Sequence, residues 1–233
     1  MPFFVRRILV VLFGNIGLSD RIGVAQSLNK GAKKLFSGEQ TILPIPDDAP
    51  PEIPRIILGD REKVFRCQVT PTRVEFSLSP KKGENKEIKE LQGDFLNQLA
   101  NIARVVKNEL GVKVERLGVV VNSATFPEEP SIDFLIKRFL KQRMVVDPRE
   151  VNLNFLHKFV LGGFEVNRWQ RFSCVSPKDE STLERAKGLY IETDVNTMPE
   201  IKYDFTVEQI PAFCSQVFTF MGSDLESLFA KES

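Results

Sequence analysis

Few residues of this chain have the types and spacing that chemistry needs. His157 is the only histidine. That excludes a multi-histidine metal centre, and any Ser–His or Cys–His device would have to be built on this one side chain. It alternates with Phe155 and Phe159, which reads as a structural histidine on a strand. Cys67, Cys174 and Cys214 lie far apart and are odd in number, so they form neither a disulfide framework nor a zinc spacing. Each sits within an apolar pattern, as a buried free thiol does. That reading places the chain in a reducing cytoplasm. Glu192 and Asp194 are the sharper pair: a spacing of two puts both carboxylates on one strand face, a geometry able to hold Mg²⁺. A metal-dependent hydrolase would add a lysine and a third acid. Lys187 falls on the opposite alternation, and no third acid is near in sequence. The alternative is a solvated outer face, since Leu189, Ile191 and Val195 alternate with Tyr190, Glu192 and Asp194. No phosphate-binding glycine loop or nucleophile motif sits at any strand–helix junction.

Two clusters could bind rather than react. Lys137, Arg138, Lys141 and Arg143, with Arg149 close behind, lie opposite Ile132, Leu135, Ile136, Phe139 and Leu140. A basic helix face of this kind meets nucleic acid or an acidic partner, or is simply solvated. Arg168, Trp169, Gln170 and Arg171 place an aromatic ring among charges. Tryptophan is favoured at interface hot spots, though it is also a large core residue. The formal net charge of +1 over 233 residues argues against a protein that coats nucleic acid with its whole surface.

The elements that must position these residues are legible in the periodicity. Phe3 to Phe13 is a strand pattern, and the apolar run Ile8 to Phe13 after Arg6 and Arg7 is too short to span a bilayer. It also lacks a small-residue cleavage site, so neither a membrane span nor a signal peptide is expected. Ile22, Ala25, Leu28, Ala32 and Leu35 recur at helical spacing, weakened by Gly23 and Gly31. Pro44 to Pro54 holds five prolines and reads as an extended, polyproline-like connector. Short strands follow over Arg55–Leu58, Lys63–Val69 and Arg73–Ser79, the last two alternating with period two. Ile88, Leu91, Phe95, Leu99, Ile102, Val106 and Leu110 make one stripe on a helix from about Lys86 to Leu110, with Gly111 where a left-handed cap belongs. Lys113 to Asn122 is a buried-looking strand. Pro130 to Arg143 predicts a shorter helix; Phe155–Leu161, Arg168–Val175 and Gly188–Val195 predict three more strands. A last helix starts near Thr206, whose spacing to Gln209 fits a capping box.

Three segments, "VFRCQVTPTRVEFSLS", "VERLGVVVNS" and "LYIETDVNTMP", together resemble a sporadically distributed family of bacterial and phage proteins of about this length. In that family a T-P-x-R hairpin feeds a helix, then an R-[IL]-G strand, then a late strand carrying D-[IV]-[DN]. The matching positions are Thr70, Pro71 and Arg73; Arg116, Leu117 and Gly118; and Asp194, Val195 and Asn196. Val119 and Val120 stand where the family strand carries polar and aromatic residues before Asn122. The family has no assigned catalytic residues to carry over. The resemblance implies an accessory role in a prokaryotic defence setting, including CRISPR-linked systems, or in a mobile element.

Apolar residues make up 42 % and charged residues 27 % of the chain, an ordinary balance for a globular protein with a sizeable core. The expected fold is α+β: one domain over 1–233, with an antiparallel sheet of roughly six to eight strands and two long helices packed on one face. Strands followed by a long helix occur twice, so halves at 1–124 and 125–233 would form a pseudo-repeat. The expected role is a non-enzymatic, protein-binding adaptor with no cofactor, no membrane association and a partner encoded nearby. Two alternatives stay open: nucleic-acid binding through the Lys137–Arg149 region, and metal-dependent hydrolysis at Glu192 and Asp194.

Overall fold

The computed structural model describes residues 1–46, 48–127, 131–140, 148, 150–175 and 188–229. Its centre is one antiparallel sheet of nine strands in the order β2-β3-β4-β5-β1-β6-β9-β8-β7. The strands are β1 (Phe4–Phe13), β2 (Gln40–Ile42), β3 (Ile56–Gly59), β4 (Phe65–Thr70), β5 (Arg73–Leu78), β6 (Arg116–Thr125), β7 (Glu150–Leu161), β8 (Phe164–Val175) and β9 (Leu189–Thr197). The sheet exceeds the expected six to eight strands because of β2. Three residues cannot show a period-two pattern, so only the partner strand β3 reveals it.

Alternation decides which side each residue takes. Ile8, Val10 and Leu12 of β1 lie in register with Val121, Val119 and Leu117 of β6 and with Leu78, Phe76 and Val74 of β5. All nine are buried. The core lies on this side, and the inward residues of α1 (Arg21–Gly31), α2 (Ile88–Arg104) and α4 (Gln209–Phe229) belong to it. A second apolar cluster under the β8–β9 end takes Ile132 and Leu135 from α3 (Ser131–Phe139), Leu225 from α4, and Phe172, Cys174, Leu189 and Ile191 from the strands.

Helix α2 begins where the Glu87 N–H donates to the Glu90 carboxylate at 2.7 Å, half of a capping box. Phe95 and Leu99, predicted to face the sheet, are fully buried. The helix widens into a π-turn over Val105–Glu109, and Gly111 closes it at φ +64°. The π-turn also explains Gly31: a Cβ there would lie 2.0 Å from Cγ2 of Val105, so only glycine lets α1 end against it. At α4 the Gln209 N–H donates to the Thr206 hydroxyl at 3.2 Å and the Thr206 N–H to the Gln209 side chain at 2.9 Å, the reciprocal box its spacing predicts.

The proline-rich stretch is no extended spacer. It is the loop of the β2–β3 hairpin, closed by the Leu43 N–H donating to the Arg55 carbonyl at 2.9 Å. The Arg55 side chain, 1 % exposed, donates inward to the carbonyls of Ile53, Ala49 and Pro46. Prolines lack N–H groups, so their segment supplies carbonyl acceptors, and one buried guanidinium gathers several of them.

The three cysteines are free and buried. Burial pushes the Cys67 thiol up to about 12 and Cys174 to about 11, and raises Cys214 as well. The thiolate is the reactive form. The native protein is therefore expected to give almost no reaction with an aromatic disulfide reagent at pH 8, and three equivalents only after denaturation. Rapid native labelling of even one thiol would contradict this burial.

Candidate functional site

The side of the sheet away from the core is polar along most of its width. Arg171 on β8, Glu192 on β9, Asn122 on β6 and Arg7 on β1 stand in one register row across four adjacent strands. The next row towards the β1–β6 end runs Trp169, Asp194, Val120 and Leu9. Arg73 of β5, Phe13 of β1 and Arg116 of β6 form another. A depression of about 520 Å³ opens beside Arg6, Asn122, Asn154, Arg171, Tyr190 and Glu192.

The carboxylate pair is present on this face, as its spacing requires, but a cation already stands with it. The Arg171 guanidinium pairs closely with Glu192, lies 3.8 Å from Asp194, and sits 5.3 Å from the centre of the Trp169 ring. The Asn196 amide donates to Asp194 in a short hydrogen bond. Burial pushes the Asp194 carboxyl up, and neither the Asn196 hydrogen bond nor Arg171 fully offsets it. Among the described residues no group of three or more His, Cys, Asp or Glu is placed to hold a metal ion. Lys187 lies outside the described residues.

Of the residues that carry the family resemblance, Arg73, Arg116, Gly118, Asp194 and Asn196 lie on this face, whereas Leu117 and Val195 are buried in the core on the other side. The Thr70 hydroxyl accepts the N–H groups of Thr72 and Arg73, each at 3.1 Å, which sets the tight turn between β4 and β5. Arg73 then pairs with Glu75 at 2.6 Å. Gly118 lies opposite Asn196, and a Cβ on Gly118 would come 2.5 Å from the Asn196 side-chain oxygen. Glycine thus leaves the room in which Asn196 holds Asp194. Arg116 covers the Phe13 ring at 3.7 Å. Its Nε is buried and has no hydrogen-bond partner. No single segment of sequence shows this cluster. The readable signal was the set of arginines at outward positions of the four neighbouring strands β4, β5, β1 and β6 and of β8 beyond β9: Arg66, Arg73, Arg7, Arg116 and Arg171.

The other candidates are distributed differently. Trp169 shares the polar face with Arg171, whereas Arg168 points to the helix side. There it pairs with Asp224 of α4 at 2.7 Å, lies 5.1 Å from the Phe220 ring centre, and shares Asp224 with the Gln170 amide. The segment is continuous strand, so neighbours along it must diverge. On α3 the Arg138 Nε donates to the Leu228 carbonyl at 2.6 Å, satisfying the last turn of α4. Lys137 also lies on α3 and is engaged in an interaction of its own. Lys141, Arg143 and Arg149 lie outside the described residues.

His157 sits on β7 at the sheet's edge, stacked 5.5 Å from Phe159 and exposed rather than enclosed. The two edges of the sheet differ. At one end β2 is three residues long. At the other β7 runs twelve residues with no described strand beyond it. It exposes Phe155 (44 %), Leu156 (47 %) and Val160 (64 %). No described helix is long and apolar enough to cross a membrane.

The fold and its open face define a mixed α/β protein built on a wide antiparallel sheet. No family model and no curated protein matches the chain. A solved structure of the rolling circle replication initiator protein from Geobacillus stearothermophilus aligns at a TM-score of 0.32 and 10 % identity, covering 96 % of this chain and 80 % of that one. A likeness at that level carries no argument about this protein.

Proposed function

We propose that this chain is a non-enzymatic, protein-binding accessory subunit, whose partner adds a strand to the edge of β7 beyond which no described strand lies. The observation that carries the reading is the contrast between the two edges. Proteins blunt exposed edges with short strands, prolines or charge, because a row of free N–H and C=O groups templates pairing with another chain. Here one edge is blunted to three residues, while the other offers twelve residues with large apolar side chains on both faces. Strand addition supplies affinity through the backbone, and alternate side-chain contacts supply selectivity. In this reading Glu192 and Asp194 neutralise Arg171 rather than hold a metal, and the chain turns over no phosphoester. An accessory role is also what the family resemblance implies.

The test is amide hydrogen exchange on β7 with and without the products of neighbouring genes as candidate partners. The expected result is slowed exchange at outward-facing amides between Asn152 and Val160 with one of them, abolished by Val160→Pro, which removes an edge donor. A complex that forms equally well with Val160→Pro, or one whose protection falls on the β5–β1–β6 face, would overturn strand addition. Protection of β7 in the protein alone, rising with concentration, would identify the added strand as that of a second copy. Salt-sensitive submicromolar binding to DNA or RNA, lost when Lys137 and Arg138 are reversed to Glu, would put nucleic-acid binding first. Mg²⁺- or Mn²⁺-dependent hydrolysis lost in Glu192→Gln with Asp194→Asn would restore the hydrolase.

A further inference from the structure

At the end of the central strands, three strands away from β7, a depression of about 350 Å³ is lined by Phe13, Glu115, Arg116, Pro199, Ile201 and Lys202 among others. Its unusual member is Arg116. Two arginines on this face are matched by acids: Arg73 has Glu75, and Arg171 has Glu192 and Asp194. Arg116 is half-buried, carries no ion pair or hydrogen bond from its guanidinium among the described residues, and lies over the Phe13 ring. Burial lowers its affinity for a proton, and the neighbouring Arg73 adds to that, while Asp194 opposes it. A guanidinium stays charged in proteins, so the desolvation is a cost in the free molecule that Asp194 and the Phe13 ring offset only in part. The stack on Phe13 fixes the plane of the guanidinium. With Nε buried, only its terminal nitrogens can reach a ligand, as a two-pronged fork.

We propose that this depression binds a carboxylate carried on an apolar group, with the Arg116 fork taking the carboxylate and Phe13, Pro199 and Ile201 taking the apolar part. A volume of this size suits a small ligand or a single terminal residue of a peptide. Glu115 lines the same depression 3.4 Å from Lys202, so this pair adds little net charge, and the single guanidinium of Arg116 matches a single negative charge. The planar carboxylate matches the planar fork; Phe13, Pro199 and Ile201 supply the apolar part of the lining, while Asn15, Thr72 and Lys202 are its further polar members beside Glu115. A peptide C-terminus and a free aliphatic acid share this chemistry.

Isothermal titration with four probes tests the assignment: N-acetyl-leucyl-leucine, the same dipeptide as its C-terminal amide, hexanoate, and inorganic phosphate. The free-acid dipeptide is expected to bind, and to weaken by about tenfold or more as its amide or with Arg116→Gln. Arg116→Lys keeps the charge but loses the fork and should fall between, which also covers the case in which Arg116→Gln fails to fold. Arg66→Gln, on the same face three strands along, should bind as wild type. Hexanoate binding as tightly as the dipeptide would assign the site to small aliphatic acids, and much weaker hexanoate would assign it to peptide C-termini; either supports the carboxylate. Tighter binding of phosphate, equal binding of acid and amide, or no binding of any probe would overturn it. Because β7 takes no part, loss of the edge-strand complex and loss of this site are separable results.

Discussion

Replacing Phe95 with alanine is expected to cost about 3–5 kcal/mol of folding stability, the usual range for removing an aromatic ring from a core. Phe95 is fully buried and sits where three elements meet. Its ring stacks on Phe76 of the sheet at 5.2 Å and an interplanar angle of 19°, and meets Phe218 of α4 edge-on at 6.0 Å. Phe76 in turn stacks on Phe65 at 5.8 Å. The ring therefore joins α2, α4 and β5 in one contact set, and truncation opens a cavity that none of the three can fill without moving. Urea unfolding monitored by circular dichroism reads the effect as a lower midpoint at nearly unchanged slope. A loss below about 1 kcal/mol would mean that the site collapses freely, which this packing does not allow.

The second large effect is expected at Arg55. Changing it to alanine should cost about 2–4 kcal/mol, because a buried charged donor and several carbonyls lose their hydrogen bonds together. The distances are 2.6 Å to the Ile53 carbonyl, 3.1 Å to Ala49 and 3.2 Å to Pro46. Lysine should recover only part of this, since a single ammonium cannot reproduce the fork that reaches three carbonyls. Local opening of the 43–55 loop should appear as protease cleavage there before global unfolding. Resistance equal to wild type in Arg55→Ala would show that the loop is held by its prolines alone.

These two sites mark where sequence was sufficient and where it was not. Phe95 was legible because helical periodicity and burial are the same fact: a stripe at three- and four-residue spacing can only be buried along one side. Helix α2, the paired strands β4 and β5, and the late strands β8 and β9 follow from such local repetition. So does the capping of α4, since the Thr206 and Gln209 positions are three residues apart. Arg55 was not legible. Nothing in an arginine beside a proline-rich stretch says that it turns inward, and the stretch reads as a spacer until the hairpin β2–β3 closes around it.

The candidate site divides in the same way. Sequence alone placed Glu192 and Asp194 on one strand face, because alternation is a property of the extended backbone and needs no partner. It named the residues of the three family-like segments without showing that they meet. What only the tertiary structure decided is the order of the strands. That order sets β6 between β1 and β9, brings Arg171 to the two carboxylates, sends Arg168 to Asp224 on the other side, and leaves Arg116 over Phe13 without an ion pair among the described residues. Strand order also leaves β7 rather than another strand at the rim. Charge balance and edge exposure depend on neighbours distant in the chain, and local periodicity carries no information about which strands become neighbours.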